Sequence, residues 1–197
     1  MLKSILSTAT FKQSQVTVLG TLINGLLGFL FYVLLARFLG PDNFGLFIID
    51  TTSMVLVADI ADIGTNTGLI RFVSKNLAVN IDKAYRFLKL GLEIKLIAWV
   101  TSVLVIFLLA PFLAVEVFRK NELILPLRLA GFGVGSALLF TFATSALQAY
   151  QKYFLWSIVN ILTNTLRLLL ILILGYYLIL NLESSLIVYL ALPFFGF

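Results

Sequence analysis

Residues 154–180 read FLWSIVNILTNTLRLLLILILGYYLIL, and Arg167 is the only charged residue among them. A helix rises about 1.5 Å per residue, so about 20 apolar residues cross the hydrocarbon layer of a bilayer. The 27 residues of this stretch therefore predict a membrane-spanning helix. Its arginine lies near the middle, where an ionisable side chain is costly and needs a partner or water.

Similar apolar segments, bounded by charges or turn residues, recur along the whole chain, and the first five have spanning length. The last has 14 residues and reaches only about 21 Å. We predict an all-α integral membrane protein that forms one six-transmembrane-helix bundle over residues 1–197, with its last helix cut short. The predicted spans are residues 16–36, 44–63, 91–114, 123–147, 154–180 and 184–197.

The composition agrees with a lipid environment. Hydrophobic residues make up 61% of the chain and charged residues 12%, against roughly 45–50% and 25% in soluble domains. The sequence contains no cysteine and no histidine, which excludes disulfides, thiolate zinc sites and thiol or imidazole catalysis. We predict no catalytic residue, metal or cofactor. The net charge of +5 does not indicate nucleic-acid binding, because the basic residues alternate with apolar runs.

The basic residues are divided unevenly between the two sets of loops. One set holds Lys3, Lys12, Arg71, Lys75, Lys83, Arg86, Lys89 and Lys152. The other set holds Arg37, Arg119 and Lys120. The positive-inside rule therefore predicts a multi-pass protein whose N-terminus lies in the cytoplasm.

The stretch Ser74–Leu90 between the second and third spans has an amphipathic spacing. Apolar residues recur there every three or four positions, which suits either one helix on the membrane surface or a simple connector. Glu93 and Lys95, at the start of the third span, are predicted to be interfacial anchors. The apolar positions of the stretch are Leu77, Ile81, Tyr85 and Leu88.

Arg167 belongs to a polar stripe on its predicted helix. Asn164, Asn160 and Ser157 precede it at spacings of three, four and three residues, so all four side chains share one face. The stripe suits either a hydrogen-bonded seam between packed helices or the wall of a water-filled cavity. The cavity is favoured because an arginine within a span is costly, and a seam between helices does not require a charged residue.

Weaker polar patterns occur in the first and fourth spans. Asn24 lies in a stripe with Thr17, Thr21 and Gly28, and Arg128 lies about one turn inside the fourth span. Small and weakly polar residues also serve close helix packing, and an arginine near a helix end can extend to the interface. For these residues, the sequence is compatible both with helix packing and with the wall of a cavity.

The second span contains three carboxylates. Asp59 and Asp62 share one face, whereas Asp50 is turned about 180° from Asp59. Two neighbouring carboxylates can share a proton or hold a cation. Alternatively, they are hydrated at the interface or paired with Arg71 and Lys75.

Residues 34–46, LLARFLGPDNFGL, have the features of a tight hairpin between the first two spans. Arg37 suits the last turn of a helix, and Gly40 can adopt the left-handed conformation that ends it. Pro41 prevents continuation, and Asp42 can cap the next helix.

Together with residues 58–75 (ADIADIGTNTGLIRFVSK), 146–154 (ALQAYQKYF) and 164–167 (NTLR), this hairpin resembles the polysaccharide-biosynthesis transporters. These are oligosaccharide flippases of the multidrug/oligosaccharidyl-lipid/polysaccharide exporter superfamily. The resemblance covers about a quarter of the chain. It implies two six-helix lobes around a central cavity, with 12 to 14 spans in all, of which this chain would be the N-terminal lobe.

The resemblance also implies a function: alternating-access transport of a polyprenyl-diphosphate-linked oligosaccharide across the cytoplasmic membrane. Arg167 and Arg128 could bind the diphosphate. Asn160, Asn164 and Asn24 could bond sugar hydroxyls or hold the arginines. Asp59 and Asp62 are the candidates for coupling to a proton or sodium gradient.

Three alternative functions would require other sequence features than transport of a lipid-linked glycan does. A multidrug exporter of the same superfamily would need cavity carboxylates rather than a central arginine. A membrane enzyme of glycan assembly would need a large external loop, and the loops predicted here are short. A scaffold without transport activity would not need a buried arginine stripe.

The predicted topology can be tested with single cysteines, because the chain has none of its own. In intact cells, the thiol of Lys120→Cys should react with an impermeant reagent and that of Lys83→Cys should be protected. The reason is that the more basic loops are retained in the cytoplasm. The opposite labelling pattern would show that the topology is inverted.

Overall fold

The structure is a computed structural model that describes residues 9–77 and 79–197. These residues are helical apart from short connections, so the all-α prediction is confirmed. Lys3, one of the charges behind the predicted orientation, lies outside the described residues. Helices α1 and α2 cover residues 9–39 and 41–62. They are followed by α3 (Thr65–Leu77), α4 (Ile81–Phe112), α5 (Ile124–Ala149), α6 (Tyr153–Tyr176) and α7 (Leu182–Phe195).

The chain reverses direction at Gly40. Its φ of 73° and ψ of 173° are non-helical, a conformation that glycine adopts without steric cost. The rings of Phe31 and Phe47 lie 6.3 Å apart, whereas 16 residues of straight helix would separate them by about 24 Å. α1 and α2 therefore form the predicted hairpin. The predicted N-cap role of Asp42 is wrong, because Gly40 is the non-helical residue and Pro41 already begins α2.

Among the described residues, four helical stretches are long and apolar enough to cross a membrane. They are Gln13–Asp62, Ile81–Val117, Asn121–Ala149 and Tyr153–Tyr176. The first stretch has 50 residues and is the one folded back at Gly40. α7 has 14 residues, a length of about 21 Å. Length and composition thus indicate a multi-pass membrane protein, and the six-span lobe stays a prediction.

α5 is the most buried of these helices and lies at the centre of the bundle. Its buried positions include Gly131, Gly133 and Gly135, and small residues let neighbouring helices approach closely. The indole ring of Trp99, from α4, packs directly on Gly135. Around α5, the core combines Phe31, Leu35, Phe47, Met54, Val134, Leu138, Leu186 and Leu190.

The single surface helix predicted across Ser74–Leu90 is wrong. α3 ends at Leu77, and α4 begins at Ile81 rather than at the predicted residue 91. Asn80 explains the break, because its side chain accepts a hydrogen bond of 3.0 Å from the backbone N–H of Lys83 and so caps α4. Ala78, within this stretch, lies outside the described residues.

α3 and the first turns of α4 instead form a hairpin with an apolar inner side. The rings of Phe72 and Phe87 stack at 5.2 Å, and Val73 packs against Ala84 in a small cluster with Ala149. The outer side is basic. Its exposed residues are Arg71, Lys75, Lys83, Arg86 and Lys89.

The fifth predicted span ends earlier than expected, at Tyr176 rather than at residue 180. Leu178 has a φ of 55°. The N–H of Leu178 donates to the carbonyl of Gly175 (3.2 Å), and that of Ile179 donates to the carbonyl of Leu174 (3.0 Å). This left-handed residue with its pair of hydrogen bonds is the Schellman motif that ends many helices. Here a leucine fills the usual glycine position, so the sequence carried no stop signal.

The close packing of α5 predicts a difference between two glycines in helices. Gly135→Ala should lower the free energy of unfolding by about 1–3 kcal/mol, because the added methyl group overlaps Trp99. Gly25→Ala is the matched control, since no atom lies within 4 Å of the position of its added methyl group. Thermal unfolding of the detergent-solubilised variants measures both. Equal shifts in the two variants would contradict the close contact.

Candidate functional site

Arg167 lies on α6, nine residues before its end at Tyr176, or about 14 Å along the helix. Its Nη1 donates to Oδ1 of Asn164 at 3.3 Å, and its Nη2 donates to the backbone carbonyl of Tyr189 at 3.0 Å. The guanidinium also lies 4.2 Å from the centre of the Tyr189 ring. The arginine is thus held by its own helix and by α7.

The carbonyl of Tyr189 is available because of the residue four positions later. In a regular helix this carbonyl accepts the N–H of residue 193, but residue 193 is a proline and has no N–H. A backbone acceptor without a partner is costly in lipid. Arg167 donates to the carbonyl of Tyr189, which Pro193 leaves without a backbone donor. This hydrogen bond holds α7 against α6.

A second polar contact joins α6 to α1. Nδ2 of Asn164 donates to Oδ1 of Asn24 at 2.5 Å, so these two predicted site residues meet. Ser157, at the other end of the predicted stripe, also contacts α1, because its side chain packs against Gly20. Two members of the stripe, Ser157 and Asn164, thus contact α1, and the stripe ends at Arg167.

Two tyrosines complete this polar cluster. The hydroxyls of Tyr32 on α1 and Tyr189 on α7 lie 3.4 Å apart. The Tyr189 ring also packs edge-on against Phe47 of α2, with ring centres 5.6 Å apart. Neither tyrosine was predicted from the sequence. The spacing from Tyr189 to Pro193 was the available signal, because it marks a free carbonyl in a span.

Two other predicted site residues lie apart from this cluster. The amide of Asn160 donates to the carbonyl of Trp156 within α6, at 2.8 Å. The guanidinium of Arg128 lies 4.4 Å from the ring centre of Phe107 on α4. Within the described ranges, neither residue hydrogen-bonds to Arg167 or its partners.

The charge of Arg167 is not balanced by an acid. Over residues 13–77 and 79–197, the ion pairs are Lys89–Glu93 and Lys95–Asp62, so no carboxylate in these ranges contacts this arginine. Its Nε is buried and has no hydrogen-bond partner among the described residues. The contacts of Arg167 are neutral oxygens and a ring face. The site therefore carries a net positive charge inside a span.

A partly buried ion pair joins α2 to α4. Nζ of Lys95 contacts Oδ1 of Asp62, and the lysine side chain is 2% exposed. The prediction that Lys95 is an interfacial anchor is therefore wrong. Asp62 also accepts a hydrogen bond from the hydroxyl of Thr65 at 2.7 Å. The link after Asp62 consists of Ile63 and Gly64, with φ values of 48° and 72°, so the pair fixes a sharp turn between α2 and α3.

The carboxylates of α2 have three different environments. Asp59 is exposed, and Asp62 contacts Lys95 rather than Asp59. Neither Arg71 nor Lys75, the alternative partners considered from the sequence, contacts Asp62 in the described structure. Asp50 is fully buried.

Comparison with known proteins identifies the family. The chain matches the family described as polysaccharide biosynthesis protein over residues 11–195. It therefore belongs to the polysaccharide biosynthesis protein family, as the resemblance in residues 34–46 and 58–75 implied. Comparisons with curated proteins and with solved structures gave no match.

The two lysine–carboxylate pairs of α4 should differ in their effect on stability. Lys95→Met should cost several kcal/mol, near the lower end of the roughly 3–5 kcal/mol for a broken buried pair, because Asp62 keeps other donors. Lys89→Met removes an exposed lysine that lies 3.8 Å from Glu93 and should cost less than about 1 kcal/mol.

Thermal unfolding in detergent measures these losses. The double variant Lys95→Met/Asp62→Asn should recover part of the lost stability, because no unpaired charge remains buried. Equal losses for Lys95→Met and Lys89→Met would contradict the buried pairing.

Proposed function

We propose that this chain forms the N-terminal lobe of a flippase in the cytoplasmic membrane. The protein moves a polyprenyl-diphosphate-linked oligosaccharide across the bilayer by alternating access. The family match over residues 11–195 supports the class of substrate, and the four long apolar stretches support the membrane location.

The observation that carries this proposal is the unbalanced charge of Arg167. A cation within a span needs compensation, and no acid of the described residues supplies it. The diphosphate of a lipid-linked glycan is an anion that would have to pass through the same layer. A guanidinium binds phosphate oxygens in a bidentate way that an ammonium cannot reproduce.

The surrounding residues suit a site that opens and closes. In the packed form, Arg167 is satisfied by a neutral acceptor, the carbonyl of Tyr189. A phosphate oxygen is a stronger acceptor for a charged donor, so the substrate would displace that carbonyl as α7 moves away. Asn164, held by Asn24, would keep the arginine oriented while its partner changes.

Arg128 and Asn160 are proposed to extend the site. Arg128 stacks on Phe107, and its Nε is buried without a hydrogen-bond partner in the described part of the chain. It would supply a second cation for the diphosphate. Among the described residues, Asn160 bonds only within its own helix, which leaves its carbonyl oxygen for sugar hydroxyls.

Transport is proposed to be coupled to a proton or sodium gradient through Asp59 and Asp62. The side chain of Asp59 is exposed, whereas the charge of Asp62 is balanced by Lys95. A change in the packing of α2 against α4 would separate that pair and let an ion replace the lysine.

The geometry favours this function over the two main alternatives. An exporter of cationic drugs would be opposed by the charge of Arg167, which no acid of the described residues balances. A membrane enzyme needs a loop that holds an acceptor and a base. The described connections at residues 63–64, 113–123 and 177–181 are all short.

Replacement of Arg167 tests the proposed substrate site. Arg167→Ala should abolish glycan export, because the cation for the diphosphate is lost. Arg167→Lys should retain part of it, because the charge remains without the planar geometry. Complementation of a flippase-deficient strain by the full-length protein measures export, with the membrane level of each variant recorded alongside.

Arg119→Ala is the matched control, since Arg119 is an exposed cation in the connection between α4 and α5. It should export normally. Export at the wild-type level by Arg167→Ala would remove Arg167 from the substrate site. Failure of both Arg167 variants to accumulate would indicate that the residue serves packing alone.

A further inference from the structure

Asp50 lies in the middle of α2, ten residues after Gly40 and twelve before Asp62. These separations correspond to about 15 and 18 Å along the helix. Its side chain is 0% exposed, and so is that of Phe47, one turn earlier, while Met54, one turn later, is 4% exposed. The carboxyl group is therefore part of the hydrophobic core between α2, α5 and α7 and is far from either end of its helix.

Neither oxygen of this carboxyl group has a hydrogen-bond partner among the described residues. The other ionisable side chains of the bundle interior have partners of their own. Tyr32 and Tyr189 contact each other, Arg128 stacks on Phe107, Lys95 binds Asp62, and Arg167 bonds to Asn164 and to the carbonyl of Tyr189. Glu183, in the first turn of α7, forms no ion pair in the described structure.

A carboxylate in this position would be an isolated charge in a medium of low dielectric constant, which is far more costly than a buried neutral acid. The packing around Asp50 is therefore compatible with the neutral acid, which carries one bound proton. Loss of that proton requires water or a cation to reach the group, and this requires α2 to separate from α5 or α7.

We propose that Asp50 is a proton-binding site whose occupancy is linked to the packing of this lobe. The acid form stabilises the packed bundle, and the carboxylate forms when the lobe opens to water on one side. The proton balance is simple, because one proton binds to the carboxylate on one side of the membrane and leaves the acid on the other. The coupling role rests on the proposed flippase function, and it adds Asp50 to Asp59 and Asp62 as a group at which a proton binds.

Proton occupancy can be observed without transport. Infrared spectra of the full-length protein in lipid, at neutral pH, should contain the carbonyl stretching band of a neutral carboxylic acid. Asp50→Asn should lose that band, and Asp82→Asn, which removes an exposed carboxylate, should keep it. A wild-type spectrum without an acid band overturns the proposal, whether or not any variant folds. So does a band that Asp50→Asn retains.

Coupling is tested by glycan-lipid transport in proteoliposomes with and without a pH gradient. Asp50→Asn imitates the neutral acid, so it should accumulate normally, and its transport should lose the stimulation that the gradient gives to the wild type. Thr51→Val is the matched control, because Thr51 is also buried on α2 but carries no exchangeable charge. It should keep the stimulation.

The outcomes separate this proposal from the proposed function. Stimulation that persists in Asp50→Asn and disappears in Asp59→Asn or Asp62→Asn overturns the coupling role of Asp50, as does stimulation by a sodium gradient alone. If the wild type moves no glycan lipid while the acid band is present and assigned to Asp50, the flippase proposal fails and the proton site stands.

Discussion

The hydrogen bond from Arg167 to the carbonyl of Tyr189 exists because Pro193 removes the donor that would otherwise reach this carbonyl. In lipid, neither group can turn to water, so each depends on the other. The bond sets the position of α7 against α6, and the adjoining Asn164–Asn24 contact sets α6 against α1. One missing N–H thus contributes to the contact of α7 with α6, next to the polar contact that joins α6 to α1.

The ionisable groups of the bundle fall into two kinds, according to their partners. Lys95 and Asp62 neutralise each other and hold the turn between α2 and α3. Arg167 and Asp50 have no charged partner in the described residues, and both lie near the middle of a helix. Groups of the first kind stabilise one arrangement. Groups of the second kind would be stabilised by an ion that binds to them, a phosphate for Arg167 and a proton for Asp50. Such groups suit a transporter.

Patterns local to one helix could be predicted from the sequence. Gly40 marked the reversal between α1 and α2, and the polar stripe that ends at Arg167 was evident from its spacing. Contacts between helices could not be predicted. Lys95 pairs with a residue 33 positions away. The periodicity of a single helix gives no information about a partner in another helix. Tyr189 was missed for a different reason. Its ring suggested ordinary packing, and its role comes from a backbone oxygen that a later proline leaves free.

The Arg167–Tyr189 bond also constrains how the chain is made. The two residues are separated by 22 positions, so Arg167 leaves the ribosome before its partner in α7 does. At synthesis rates of about 5–20 residues per second, the arginine waits roughly 1–4 s for the carbonyl that will satisfy it. During that interval α6 gains more from staying beside the insertion machinery, or in contact with Asn24 of α1, than from moving into lipid alone. The order in which helices leave the translocon is thereby tied to the position of a single proline.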